Sequence, residues 1–233
     1  KKILSTGNGR CNLTNEKMSL DYFRSDEPQL ISSVLKDFGY PDTIRFFENL
    51  GLLTKSRNGY VYPRCDQASV VRSVLDNRLK ELGADIRRET TVTAIFRTKK
   101  GFQIETGSGK IQADRIILSA GGKASSKLGS DGSGYTLAKS LGHSVVPVVP
   151  ALVQLKVKDF AFQKASGVRT DAKVTALVNG RVAASDTGEL QITNYGISGI
   201  PIFQISRYIS RALYEKQNAQ VMIDFLPELE EAS

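Results

Sequence analysis

Three glycine-rich segments carry the residue types that could do chemistry. The first runs Gly7-Asn8-Gly9-Arg10-Cys11-Asn12-Leu13-Thr14-Asn15. Its glycines let backbone approach a ligand closely, its asparagines can hold the loop's own amides, and Arg10 supplies a forked cationic donor. The second is Ala120-Gly121-Gly122, directly after the apolar run Ile116-Ile117-Leu118. In open α/β sheets ligands sit beyond the carboxyl ends of strands, and glycine there admits a nucleotide to the backbone. The third, Leu128-Gly129-Ser130-Asp131-Gly132-Ser133-Gly134-Tyr135, precedes a helical pattern, so free amides and the helix dipole could hold an anion. Asp131 suits hydroxyl recognition or capping better, because a carboxylate accepts hydrogen bonds.

Taken singly, each segment also reads as an ordinary turn or a capped loop. Together they describe a nucleotide fold, because two glycine-rich loops leave a strand end and enter a helix. A G-x-G-x-x-G cradle for a pyrophosphate is not among them. In the first segment Asn12 stands where the third glycine would be, and no helix pattern follows.

Other chemistries lack their residues. His143 is the single histidine, and no G-x-S-x-G elbow accompanies it, which argues against a Ser-His-Asp hydrolase. Cys11 and Cys65 are the only cysteines, too few with one histidine for a zinc centre, so no metal is expected. Chemistry is therefore expected to belong to a bound cofactor, and no residue is assigned as catalytic. His143 follows a helical pattern and reads as structural; Cys11 reads as a packed thiol. Sparse, unpatterned cysteines point to a reducing cytoplasm.

Composition sets the class. With 40% hydrophobic and 24% charged residues in 233, disorder, collagen and coiled-coil arrays are excluded. The net charge of +8 is scattered, its tightest clusters being Arg87-Arg88 and Lys99-Lys100, so a solvated surface is expected and no nucleic-acid partner. The most apolar stretch, Val145 to Leu155, contains Pro147 and Pro150 and falls short of the roughly 20 residues that cross a membrane. The expected partner is a small molecule, with no membrane. Oligomeric state leaves no mark on the sequence.

These loops need elements to position them. Lys1 to Leu4 reads as the end of a strand. Helical spacing covers Leu30 to Phe38, then Pro41 to Gly51. Asn58-Gly59 predicts a hairpin between Leu52–Arg57 and Tyr60–Tyr62. Asp66 is placed as the cap of an amphipathic helix that Gly83 closes. Val92–Thr98, Phe102–Thr106 and Lys110–Leu118 read as strands, the last ending as a buried central strand in Ile116-Ile117-Leu118. A helix follows near Gly134–Leu141. Beyond a boundary at Val145–Pro150 the chain reads β-rich: Ala151–Val157, Lys173–Val178, an Asn179-Gly180 turn, Arg181–Ala184, Glu189–Ile192 and Gln220–Phe225. A helix from Pro201 to about Lys216 interrupts.

Ser5-Thr6-Gly7-Asn8-Gly9-Arg10-Cys11-Asn12-Leu13-Thr14-Asn15 resembles the loop after the first βαβ unit of the aminoacetone-oxidase family, also called BaiN-like NAD(P)/FAD-dependent oxidoreductases. The resemblance continues through Tyr62-Pro63-Arg64-Cys65-Asp66-Gln67-Ala68, Ser119-Ala120-Gly121-Gly122 and Gly129-Ser130-Asp131-Gly132-Ser133-Gly134-Tyr135. It also takes in Leu141-Gly142-His143, Gly167-Val168-Arg169 and Tyr195-Gly196-Ile197-Ser198-Gly199, in order and nearly along the whole chain. The sequence departs from the family pattern at Asn194, where members usually carry His. It departs again at Ser130-Asp131-Gly132-Ser133-Gly134-Tyr135, where members usually carry Thr-Gly-Asp-Gly-Tyr.

The resemblance implies an α/β fold: a partial Rossmann-like FAD-binding domain over 1–147 and a β-rich inserted domain over 148–233. It implies FAD as cofactor, with NAD(P)H as candidate reductant. Gly9, Arg10, Cys11 and Asn12 would lie along the flavin side, and Val92 near the adenine through its backbone. Ala120, Gly121 and Gly122 would line the cleft, and Gly129, Asp131 and Gly132 would complete it. The family's G-x-G-x-x-G unit would precede Lys1 and its closing segment would follow the insert. The chain, which begins without methionine or signal-peptide pattern, is thus expected to be an internal piece that binds FAD weakly or not at all. The function implied is that of an FAD-dependent oxidoreductase of unknown substrate. The alternative is a nucleotide-binding or assembly module without redox turnover.

Overall fold

The computed structural model describes residues 1–229, and the chain divides into two compact units, Lys1–His143 and Ser144–Ser233. The first unit begins with a helical turn, α1 (Lys2–Ser5), then β1 (Thr14–Asn15), α2 (Pro28–Asp37), α3 (Tyr40–Asn49), β2 (Thr54–Arg57), β3 (Tyr60–Pro63) and α4 (Ala68–Glu81). It continues with β4 (Val92–Thr98), β5 (Gly101–Thr106), β6 (Gly109–Ala113) and α5 (Ser133–Ser140). The second unit holds β7 (Leu155–Lys156), β8 (Arg169–Val178), β9 (Arg181–Thr193), β10 (Gly196–Gly199), α6 (Ile200–Tyr214) and β11 (Ala219–Asp224).

Two three-stranded antiparallel sheets, β1-β3-β2 and β4-β5-β6, build the first unit. The hairpin at Asn58-Gly59 forms because both residues accept positive φ, 54° and 85°, which matches the twist of the flanking strands. One buried cluster joins Cys11, Leu52, Ala68 and Val71, with Ile3, Leu13 and Phe47 packed on it. It therefore fastens the first glycine-rich loop to α4 by apolar burial alone.

Three expectations fail here. Lys1–Leu4 is the helical turn α1, not a strand end: among the described residues no strand offers it a ladder, so its backbone groups close locally. β6 stops at Ala113, and Ile116-Ile117-Leu118 is not strand; Ile117 is 91% exposed. An apolar run becomes a central strand only when neighbours pair on both edges, and no described residue pairs with this one. Asp66 is not the cap of α4. Gln67 holds that position without a side-chain bond, while Asp66 sits at φ 56° and turns toward the hairpin.

In the second unit the antiparallel order is β11-β8-β9-β10-β7. Proline at the start of α6 fits because the first-turn N–H has no intrahelical partner. Ile202, Ile205 and Ile209 of α6 are buried against Val174, Ala176, Leu190 and Ile197 of the sheet. Ala151–Val157 is extended only at β7. Arg181–Ala184 and Glu189–Ile192 are parts of one strand, because the polar residues between them stay in register with β8: Thr187 faces Lys173 and Asp186 faces Val174. Among the described residues no helix is long and apolar enough to cross a membrane.

Candidate functional site

The first loop turns sharply after α1. Gly7 and Asn8 both take left-handed angles, and the Cys11 amide donates to the Thr6 carbonyl at 3.0 Å. Cys11 is itself left-handed, at φ 63°, and only 7% exposed. Its thiol is thus packed beneath the loop, and what Arg10 and Asn12 present outward depends on that anchor. Asn12 donates through Nδ2 to the carbonyls of Thr14 and Val61, both at 3.3 Å, tying the loop to β3. Gly9 is exposed, with φ 81° and no atom within 4 Å of where a Cβ would project. Backbone there is open to a ligand.

Beside this loop lies a charge cluster. Asp66 accepts a hydrogen bond from Lys55 Nζ, and Arg57 Nη2 stands 4.0 Å from the same oxygen. The Lys55 hydrogen bond leads the causes that hold the Asp66 carboxyl below its ordinary value; the charges of Lys55, Arg57 and Arg10 reinforce it against partial burial. The other oxygen, Oδ1, is buried without a hydrogen-bond partner among the described residues. An unmade bond at a buried acceptor is costly, and here three cations around one carboxylate offset it.

The second and third segments fold onto each other. The Gly132 amide donates to the Gly122 carbonyl at 3.1 Å, and Ser125 and Ser130 exchange backbone hydrogen bonds. A Cβ on Gly134 would sit 3.1 Å from the Ala120 Cβ, so the crossing needs glycine on the helix side. Gly129 and Gly132 take φ 94° and 90°, angles that favour glycine. Asp131 Oδ1 accepts from the Ser133 amide at 2.9 Å, bonding the first turn of α5. Hydrogen bonds from the Ser133 side chain and amide hold its carboxyl below the usual value. Val92 opens β4, paired with Thr106 and half-buried.

The structure thus joins Ala120–Gly122 with Gly129–Gly134. Residues 9–12 cluster with Asp66 instead, and Val92 stands at the start of β4, a strand that packs on α5. Sequence reading missed two linking groups. Lys2 donates from Nζ to Ser130 Oγ at 2.7 Å, connecting α1, which leads into the first segment, to the third loop; a lone lysine 128 residues away gives no signal. Lys55 and Arg57 had one available: they alternate on a strand and so share a face, followed by an acid just past the hairpin.

Toward a flavin dinucleotide, the ionised Asp131 is an acceptor that suits sugar-type hydroxyls and repels phosphate. The exposed Ala120–Gly121 backbone suits close approach of a flat or hydroxylated group. The residues present therefore fit the hydroxyl-bearing and ring portions of FAD and supply no cradle for its pyrophosphate.

Among curated proteins, the chain is 57% identical over 230 residues to a 3-dehydro-bile acid delta(4,6)-reductase of Clostridium scindens, covering 99% of this chain and 56% of that protein. It is 28% identical over 235 residues to a ribosomal RNA dihydrouridine synthase of Haemophilus influenzae, covering 97% and 56%. A ribosomal RNA dihydrouridine synthase of Escherichia coli is 26% identical over 213 residues, covering 89% and 52%. The chain spans about half the length of the curated relatives it matches. A family description, HI0933-like protein Rossmann domain, matches residues 1–208. With that match and the reductase identity agreeing with the loop motifs, the chain belongs to the HI0933-like Rossmann family, the aminoacetone-oxidase or BaiN-like group.

Proposed function

We propose that this chain is part of a flavin-dependent reductase acting on a carbon–carbon double bond conjugated to a carbonyl. The observation that carries the reading is the pair of interlocked glycine loops, Ala120–Gly122 and Gly129–Gly134, which leave backbone exposed beside a carboxylate acceptor. The names of the relatives supply the reaction type: a 4,6-dienone steroid and a uridine ring both offer an alkene polarised by a carbonyl. FAD, when bound, supplies the two-electron chemistry, and the protein supplies orientation and electrostatics.

Asp131 accepts a hydroxyl of the bound group, and Ala120–Gly122 bring backbone against it. Arg10 and Asn12 tune the surroundings of the ring from a loop that Cys11 fixes in place. The division proposed is a cofactor domain over 1–147 and an inserted domain from 148. NAD(P)H is the proposed reductant, and the two free cysteines suit a reducing cytoplasm.

A small molecule is favoured over ribosomal RNA as substrate. The steroid reductase is the relative of higher identity, and the cations of this chain are dispersed. The test uses the full-length parent polypeptide with FAD, reduced anaerobically, then offered a 3-oxo-4,6-diene steroid acid or a ribosomal RNA fragment. Reoxidation by the steroid, insensitive to salt, is expected. A flavin that no reductant reduces refutes the oxidoreductase reading; reoxidation by RNA alone, steeply salt-dependent, refutes the small-molecule reading.

A further inference from the structure

The reductase reading makes no use of a concavity in the second unit. There the sheet curls so that both of its edge strands, β7 and β11, border one groove, with α6 as a wall. Its volume is about 870 Å³. Pockets that hold drug-sized ligands run from about 300 to 1,000 Å³. Leu155, Phe160 and Ile209 reach it from the buried core, whereas Phe162, Leu213 and Met222 line it while exposed by 47%, 62% and 55%. Apolar surface left this open in a continuous concave patch marks a binding site more often than a lone exposed leucine does.

The wall has a shape. Phe160 and Phe162 of the lining stand edge to face, centroids 5.9 Å apart at 61°, and Phe225, outside the lining, braces Phe162 at 5.8 Å and 62°. Each ring fixes the next, so the surface is stiff and suits a rigid ring system better than a floppy acyl chain. The rim has a sign. Lys156 and Lys158 both line the groove, and neither is ion-paired with a described residue; Asp159 is the single carboxylate among the lining residues. Lysine stems can lie along apolar surface while the ammonium heads stay at the rim.

We infer that this groove binds a rigid, apolar, multi-ring molecule bearing one anionic group, the rings against Phe160, Phe162 and Met222 and the anion toward Lys156 and Lys158. The competing occupant is an extended peptide pairing with a sheet edge. β7 is two residues long and offers such a peptide little ladder; β11 offers six residues, and there the ring wall and the unpaired ammonium groups favour an anion-bearing ring system.

The experiment is calorimetric titration of the 233-residue chain with cholate below its micellar concentration. The same titration uses the alcohol that replaces the cholate carboxylate. Saturable binding of one cholate per chain is expected. Lys156→Gln combined with Lys158→Gln should weaken cholate about tenfold, on the order of 1.4 kcal/mol, and leave the alcohol nearly unchanged. Met222→Asp and Leu213→Asp, both at exposed positions that need not disturb the fold, should weaken both ligands. Absent or non-saturable cholate binding overturns the inference. So does cholate binding that none of these variants alters, or displacement of cholate by an apolar extended peptide that protects the β11 amides from exchange. None of these results bears on reduction of a flavin, so the two readings fail separately.

Discussion

Replacing Gly122 by alanine tests whether the two glycine loops are held by the contact the structure shows. The new Cβ would lie 3.0 Å from the Tyr135 hydroxyl oxygen and 3.9 Å from Tyr135 Cζ. The first distance is too short and must open by a few tenths of an ångström, a mild overpacking that costs about 1 kcal/mol. Gly122 is not among the residues with positive φ, so alanine fits its backbone, and the stiffer unfolded chain returns about 0.4–1 kcal/mol. The net change in the native background is thus a loss of no more than about 0.6 kcal/mol.

In a Tyr135→Phe background the crowding oxygen is gone and the nearest atom is at ordinary contact distance. There Gly122→Ala should stabilise by about 0.4–1 kcal/mol. The Tyr135 hydroxyl makes no hydrogen bond to a described residue, so its own removal costs little. A double-mutant cycle should show coupling of about 1 kcal/mol. Urea unfolding of the four proteins, followed through the amide signals of Thr136 and Leu137, reads the first unit alone. Equal effects of Gly122→Ala in both backgrounds would refute the packing described for the loops.

Gly196→Ala should be far more damaging. Its Cβ would come within 2.2 Å of the Leu155 carbonyl oxygen and 2.9 Å of the Val157 amide at φ 155°, and this neighbouring backbone cannot yield. A loss of about 3 kcal/mol or more is expected in thermal melts of the second unit; an unchanged melting temperature contradicts the β7–β10 pairing. Asp66 has a depressed pKa when folded, so its contribution is complete above the unfolded value of about 3.8 and is lost as pH falls through the folded one. Asp66→Asn should therefore lower stability at neutral pH, with the difference from the native protein shrinking below pH 3.8; a pH-independent difference rules out the Lys55 pairing as its source. Of the two free thiols, Cys65 is exposed and Cys11 buried, so a thiol reagent should label one per chain quickly and the second only after denaturation. Two fast thiols would place Cys11 outside the core.

The parts of this fold that sequence revealed are those whose signals are local. Asn58-Gly59 and Asn179-Gly180 make hairpins because their residues accept positive φ wherever they stand. The helices α2 to α6 follow apolar spacing that any partner surface would reward. β10 escaped notice because Gly196-Ile197-Ser198-Gly199 has poor strand propensity; only pairing with β9 and β7 on its two sides makes it extended. The reverse error occurred at Ile116-Ile117-Leu118, whose propensity is high and whose pairing is absent among the described residues. At the candidate site, the glycines and Asp131 were legible by type. The Lys2–Ser130 bond was not, since it depends on chain geometry over most of the first unit.

That exposed apolar run has a colloidal consequence. Residues 116–118 are rich in β-branched side chains, and Ile117 stands almost fully in water with unladdered backbone on either side. Such a segment is a template for a second copy. Asp114 and Arg115 stand directly before it, exposed and opposite in sign, and act as gatekeepers against intermolecular stacking. Replacing Asp114 and Arg115 together by neutral residues should therefore lower the concentration at which the chain stays dispersed, as light scattering would read.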